Sequence, residues 1–263
     1  MNTGNEMTGP GVAVKLRLLA WTAISLVAMA AGMLTLNTTA ADAAMVPHLY
    51  KDLNPGPSSS SPEDFVPMNG DLYFVGRDPA KGQELMKISG GKVSTVTDIY
   101  PGKAYSSPTG LTVFKGHLYF TAGNPTVGRE LWRTDGKKVE LLGDLNPGSA
   151  DAYPSDFTIL GDKLIFSADS GAIGRELWVT EGGTPTLVKD IRPGGQGSDP
   201  GSFTKLGTHL YFSANDGVNG TELWRTDGST ATLVADINPG AAHAYPGYKT
   251  EFKGQLYFAA RTG

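Results

Sequence analysis

The chain has 263 residues, a net charge of −4, 40% hydrophobic and 18% charged residues, no Cys, and 35 Gly with 17 Pro. This excess of Gly and Pro disfavours helix-rich folds, the lack of Gly at every third position excludes collagen, and the apolar content argues against disorder. No disulfide framework, Fe–S cluster or cysteine zinc site is available, and the charge argues against nucleic acid as the main partner, which leaves a large all-β domain whose turns consume the Gly and Pro.

Residues 1–43 read as a secretory signal peptide. Lys15 and Arg17 precede an apolar run from Leu18 to Leu36, and Ala41-Asp42-Ala43 supplies the small residues of a cleavage site. The run is slightly long for this purpose, so an uncleaved N-terminal membrane anchor is the alternative. Cleavage after Ala43 leaves a domain of residues 44–263, exported and without membrane contact.

That domain is a repeat with a period of 46 residues. Asp52, Asp98, Asp144, Asp190 and Asp236 mark one column, and Pro55-Gly56, Pro101-Gly102, Pro147-Gly148, Pro193-Gly194 and Pro239-Gly240 follow each in step. Phe74, Phe120, Phe166, Phe212 and Phe258 form a second column, Glu84, Glu130, Glu176 and Glu222 a third, and Pro62, Pro108, Pro154, Pro200 and Pro246 a fourth. Each copy holds four strand candidates. In the third copy these are Phe157–Leu160, Lys163–Ala168, Arg175–Thr180 and Thr186–Ile191, with turns at Gly161-Asp162 and Glu181-Gly182-Gly183 and a loop over Asp169–Gly174. Leu164 and Phe166 alternate with Ile165, so both faces of the sheet are apolar and must lie between neighbours. Three tight connections and one long Pro/Gly-rich crossover per unit predict an all-β β-propeller of four-stranded antiparallel blades; an open β-solenoid is the alternative.

The segments Gly128-Arg129-Glu130-Leu131-Trp132-Arg133-Thr134-Asp135-Gly136 and Gly220-Thr221-Glu222-Leu223-Trp224-Arg225-Thr226-Asp227-Gly228 resemble the signature of ELWxxDGT-repeat proteins. Leu210-Tyr211-Phe212-Ser213-Ala214 and Asp236-Ile237-Asn238-Pro239-Gly240 are similar to it too, and the resemblance covers residues 45–263. It implies exported bacterial arrays of propeller-like repeats, hence a secreted, periplasmic or cell-surface protein, and no activity. The first copy departs from the pattern with Met86 for Trp, and the third with Glu181-Gly182 for Asp-Gly.

The repeats span 65–99, 111–145, 157–191 and 203–237, with a partial copy over 249–260 and an isolated fourth-strand candidate over 46–52. Sharing one blade between the two termini predicts five blades, the last lacking its third strand. The alternative is a piece of a longer array, whose open edges would favour oligomers.

Function on a repeat scaffold sits on variable loops. Here these are the second-to-third-strand loops and the crossovers, which share one face. They present Tyr105, Tyr153, Tyr245, Asp169, Asn215, Asp216 and Asn219, together with His243, Asp151 and Asp199. Aromatic rings with Asp and Asn suit a sugar: rings stack on C–H faces and amides or carboxylates bond to hydroxyls. An extracellular glycan or protein ligand is therefore expected, bound at several weak sites; solvated loops are the plainer reading of each residue taken singly. Trp132, Trp178 and Trp224 read as packing between blades, because Met86 replaces their volume but not a flat face. The repeated Glu reads as an acceptor for turn N–H groups. Asn215, Asp216, Asn219 and Glu222 could hold Ca²⁺, but the equivalent loop at 123–129 has no carboxylate. The first strands offer acids such as Asp64, Asp156 and Glu251 in no fixed column, and no hydrolase or phosphate-loop motif occurs, so a non-catalytic protein is expected.

Overall fold

The computed structural model describes residues 33–35, 48–55 and 57–263. Every element among these residues is a strand. Two short ones come first, β1 (Met33–Thr35) and β2 (His48–Lys51). Four sheets of four antiparallel strands follow, each in sequence order. They are β3–β6 (Glu63–Met68, Asp71–Asp78, Gly82–Ser89, Lys92–Thr95) and β7–β10 (Thr109–Phe114, His117–Asn124, Gly128–Thr134, Val139–Gly143). Next come β11–β14 (Ser155–Leu160, Lys163–Asp169, Arg175–Thr180, Thr186–Lys189) and β15–β18 (Gly201–Leu206, His209–Asn215, Thr221–Thr226, Ala231–Ala235). The chain finishes with a two-stranded sheet, β19 (Gly247–Phe252) and β20 (Gln255–Ala259). The third strand of the third copy lies where the sequence places it; the fourth ends two residues earlier, at Lys189, because Ile191 leaves the ladder to pack in the core. First strands neighbour first strands in succession, β3 to β7 to β11 to β15 to β19, so they form the inner wall of a β-propeller.

The turns follow from residue chemistry. Asn69-Gly70 joins β3 to β4 with both φ angles positive, at 52° and 83°, the primed turn whose twist matches a hairpin. At the same place in the third blade only Gly161 is left-handed, and the turn changes type accordingly.

The two apolar faces of each sheet are both covered. Leu164, Phe166 and Ala168 pack on Tyr119 and Leu131 of the second blade, while Ile165 and Leu177 pack on Phe212 and Trp224 of the fourth. Burial of such a side chain contributes about 1.5–3 kcal/mol, and the pattern recurs at each joint. Trp132, Trp178 and Trp224, with Met86 in their column, lie in these clusters, as their volume suggests.

A polar fastening complements the core. Glu84, Glu130, Glu176 and Glu222 are fully buried on the third strands. Glu176 accepts from Ile191 N, Arg192 N and Ser198 Oγ at 3.0, 3.2 and 2.6 Å. Glu222 likewise accepts from Ile237 N and Ala244 N. The glutamate thus pins the crossover that leaves its own blade. The crossover residue it grips also ties the two blades together. Ser198 N donates to Arg175 O behind it, and its carbonyl accepts from Asn215 N ahead, at 3.0 and 2.9 Å. Ser106, Ala152 and Ala244 repeat this arrangement. The Asp of each crossover turns the chain, as expected: Asp144 Oδ2 accepts from Gly148 N at 3.0 Å.

The fifth position differs from a simple shared blade. A fourth strand touches the rest of its sheet only through the third, and β2 takes β1 as its partner. Lys51, Leu49 and His48 face Met33, Leu34 and Thr35, with a bulge after Met33. Three periods on, Lys189, Leu187 and Thr186 face Leu177, Trp178 and Val179, with a bulge after Leu177. Part of the expected leader therefore pairs in the register of a third strand; the rest of that leader lies outside the described residues.

Candidate binding face and axial cavity

The crossovers and the second-to-third loops gather on one face. Three of the expected residues there are partly exposed tyrosines, Tyr105, Tyr153 and Tyr245, at 43%, 53% and 53%. Each carries an arginine against its ring, which the sequence reading did not single out. Arg77, Arg129 and Arg261 lie 5.0, 5.8 and 5.4 Å from the respective ring centres. His243 also stacks on Tyr245, with centroids 5.0 Å apart and planes 17° apart. Arginine and ring immobilise one another, so each tyrosine is a pre-set platform with a cation at its side.

Backbone conformation aims two of these rings. Tyr153 and Tyr245 occupy one column with Ser61, Ser107 and Asp199, all left-handed at φ between 40° and 49° and all preceding the proline column. Since the serines share the conformation, it belongs to the crossover, and the tyrosines take advantage of it. Tyr105 stands two positions earlier in its copy, in the column of Asp151 and His243. Asp151 Oδ1 accepts from Arg129 N at 2.7 Å, and His243 Nδ1 accepts from Thr221 N at 2.9 Å. The hydrogen bond to Asp151 pushes the Tyr153 phenol above its ordinary range.

The expected polar residues serve the loops first. Asp169 Oδ1 accepts from Gly171 N and Asn215 Oδ1 from Gly217 N, at 2.7 and 2.8 Å. Asp216 Oδ1 accepts from Val218 N and Asn219 N, and its Oδ2 from Asn219 Nδ2. These are Asx turns, which leave Asp169 Oδ2 and Asn215 Nδ2 for other partners. Glu222 faces the crossover rather than this loop, so it does not join Asn215, Asp216 and Asn219 around a cation. Among the described residues no group of three or more His, Cys, Asp or Glu is placed to hold a metal ion.

A second feature lies on the axis. A cavity of about 620 Å³ is lined by the beginnings of the first strands, including Asp64, Phe65, Asp156, Phe157, Ser202 and Phe203. This corrects the reading of the acids. Asp64 and Asp156 share a column, two periods apart, with Gly110, Ser202 and Tyr248 between or beyond them. All five residues are left-handed, φ 50° to 69°, at a β-bulge in the first strand. The bulge turns that residue toward the axis. Repetition of position rather than residue type was the available signal. Asp156 Oδ2 accepts from Ser155 Oγ and Ser167 Oγ at 2.9 and 3.3 Å. In the fifth copy Lys249 stands in the column of Phe65, Leu111, Phe157 and Phe203, and its Nζ donates to Pro246 O and Ser213 Oγ at 2.7 and 2.9 Å. Burial pushes that ammonium down to about 8.

No family model matches the chain, and no curated protein does. Solved structures do. A structure from the analysis of two prolyl endopeptidases aligns over 82% of this chain and 35% of its own, at 15% identity and a TM-score of 0.50. The computationally designed Ika8 protein aligns over 81% and 59%, at 14% identity and a TM-score of 0.44. The β-propeller domain of the Trilobed protease from Pyrococcus furiosus aligns over 83% and 67%, at 10% identity and a TM-score of 0.44. The chain thus spans 59% of the designed protein and about a third of the endopeptidase. The likeness is one of fold.

Proposed function

We propose that this protein is an exported, non-catalytic β-propeller that binds an extracellular ligand, of the glycan class, across its loop face. One observation carries the reading: three partly exposed tyrosines, each held by an arginine, stand on the first, second and fourth crossovers of that face. A ring offers a C–H stacking surface, and the adjoining guanidinium offers several N–H donors to hydroxyls. Similar weak sites around one scaffold gain avidity on a polymeric ligand. The resemblance of the repeats to exported bacterial ELWxxDGT arrays supports the placement outside the cell, as does the leader-like sequence of residues 1–43. Among the described residues no helix is long and apolar enough to cross a membrane.

The non-catalytic part of the reading rests on where the carboxylates are used. The four repeated glutamates are buried and bonded to crossover N–H groups, out of reach of a substrate. The test is a glycan array followed by titration of the best polysaccharide. Tyr153→Ala and Tyr245→Ala should each weaken binding about tenfold, within the range of one lost aromatic contact. Binding that ignores both changes overturns the site, no binding overturns the ligand class, and release of shorter sugars overturns the absence of catalysis.

A further inference from the structure

The four complete blades do not share the charge of the loop face evenly. In the first blade the second-to-third loop and the crossover carry Arg77, Lys81 and Lys103. The same columns hold Asp151 and no Lys or Arg in the second blade, Asp169 and Asp199 against Arg192 in the third, and Asp216 and no Lys or Arg in the fourth. The carboxylates of the first sector serve the backbone. Asp78 Oδ1 accepts from Ala80 N and Lys81 N at 2.8 and 3.2 Å, and Asp98 Oδ2 accepts from Gly102 N at 3.3 Å. Tyr105 lies among the cations. Arg77 Cζ is 5.0 Å from its ring centre, and Lys103 precedes it by two residues. Gly82, next to Lys81, packs so closely that a Cβ there would lie 2.7 Å from Tyr105 Cδ1.

Arg77 differs from Arg129, Arg175 and Arg192 in what its guanidinium has left to offer. Arg129 Nη1 and Nη2 donate to Ser106 O and Ser107 O at 3.3 and 2.8 Å. Arg175 Nη1 donates to Tyr153 O at 2.9 Å, and Arg192 Nη2 donates to Gln196 Oε1. Arg77 is exposed, and among the described residues its guanidinium has no acceptor and no ion-pair partner. Contact with the ring uses the charge of the group and consumes none of its N–H donors. Their planar fork matches a carboxylate in a way that a lysine ammonium does not. The whole chain carries a net charge of −4, so its general field repels a polyanion, and any preference for one has to arise locally.

We propose that the Tyr105 sector takes an acidic sugar, a uronate, with its ring face on Tyr105 and its carboxylate in the fork of Arg77, flanked by Lys81 and Lys103. This rests on the reading of the loop face as a glycan site and narrows the ligand to an acidic polysaccharide. The first sector reads the charge, because the second sets the Asp151 carboxylate two residues from Tyr153, where it repels one.

The full chain can be titrated calorimetrically with polygalacturonate and alginate, each with its carboxyl groups intact and after their reduction to neutral alcohols. The acidic form of at least one polymer is expected to bind about tenfold or more tighter than its reduced form, the range for a hydrogen bond to a charged group. Arg77→Gln should remove most of that preference and leave the reduced polymer unaffected. Arg77→Lys, which keeps the charge but loses the fork, should restore it only in part. Tyr105→Ala should weaken both forms. The Arg77 variants are expected to fold, because Gly123, Asp169 and Asn215 occupy the same column. Equal affinity for intact and reduced polymers overturns this proposal and leaves the glycan reading standing. A preference indifferent to Arg77→Gln overturns the site, and equal binding of dextran sulfate overturns the choice of a carboxylate. Binding of none of the polymers, with no hit on the glycan array, overturns the glycan reading and this proposal with it.

Discussion

Glu130, like Glu222, lies opposite an alanine and receives no serine hydroxyl. Glu84 and Glu176 each receive a serine hydroxyl as well as crossover N–H groups, but the corresponding residue opposite Glu130 is Ala152. Burial outweighs the N–H donors from Leu145, Asn146 and Ala152, and pushes this carboxyl from 4.5 up to about 7. The native chain therefore holds a proton that the unfolded chain releases between pH 4.5 and about 7. Stability conferred by the neutral form is present below that window and falls as pH rises through it. At 1.36 kcal/mol per pH unit, the loss attributable to this group is at most about 3 kcal/mol. Ala152→Ser supplies the hydroxyl used in the first and third blades. It should lower the Glu130 pKa and raise stability at pH 8 by about 1–2 kcal/mol, with little effect at pH 4.5. Glu130→Gln removes the titration, so its stability relative to the native chain should improve by up to about 3 kcal/mol between pH 5 and pH 8. Urea unfolding followed by tryptophan fluorescence at several pH values measures both. Equal pH slopes in the native chain and the two variants would refute the reasoning, since the other titrating groups are common to all three.

Other consequences are equally open to measurement. Glu176→Ala leaves Ile191 N, Arg192 N and Ser198 Oγ without their acceptor, and should cost more than about 3 kcal/mol in thermal or urea unfolding. Gly128→Ala would put a methyl group 2.0 Å from Ala150 O and should destabilise by several kcal/mol, whereas Gly148→Ala, also left-handed but facing open space, should cost only about 1 kcal/mol. Lys249 loses its proton near 8 in the native state against 10.5 when unfolded. The unfolded chain thus binds more protons in that window, and stability should rise with pH across it; Lys249→Met should abolish the rise.

Much of this molecule was legible because each feature is written several times. The Glu column could be read as structural since no enzyme needs four copies of one carboxylate, and the bonds from Ile99, Leu145, Ile191 and Ile237 show the reason in each copy. The Trp column was readable through its exception, Met86. Repetition was less helpful where residue type varies at a fixed place. Asp64, Gly110, Asp156, Ser202 and Tyr248 share a left-handed bulge, a property of the backbone that no side-chain column reveals. The arginine partners of the tyrosines were hidden for another reason. Arg77 lies on a blade before the crossover that carries Tyr105, and Arg261 on a strand after the crossover that carries Tyr245, so no fixed spacing links the pairs and only the folded crossovers bring them together.

The inter-blade joint carries a further implication. Its backbone bonds are the same at Ser106, Ala152, Ser198 and Ala244, so the main chain alone does not distinguish one neighbour from another. A chain of near-interchangeable parts is at risk of docking the wrong two while it folds. Side chains around the joint supply an address. Arg129 N meets Asp151 at one joint, Thr221 N meets His243 at another, and Gly174 backs directly onto Gly197 at a third. Each of these contacts joins a crossover to the blade it leaves, and so matches every crossover to its own blade. The small differences among the copies therefore act as assembly instructions, and replacing every copy by one consensus sequence would erase them.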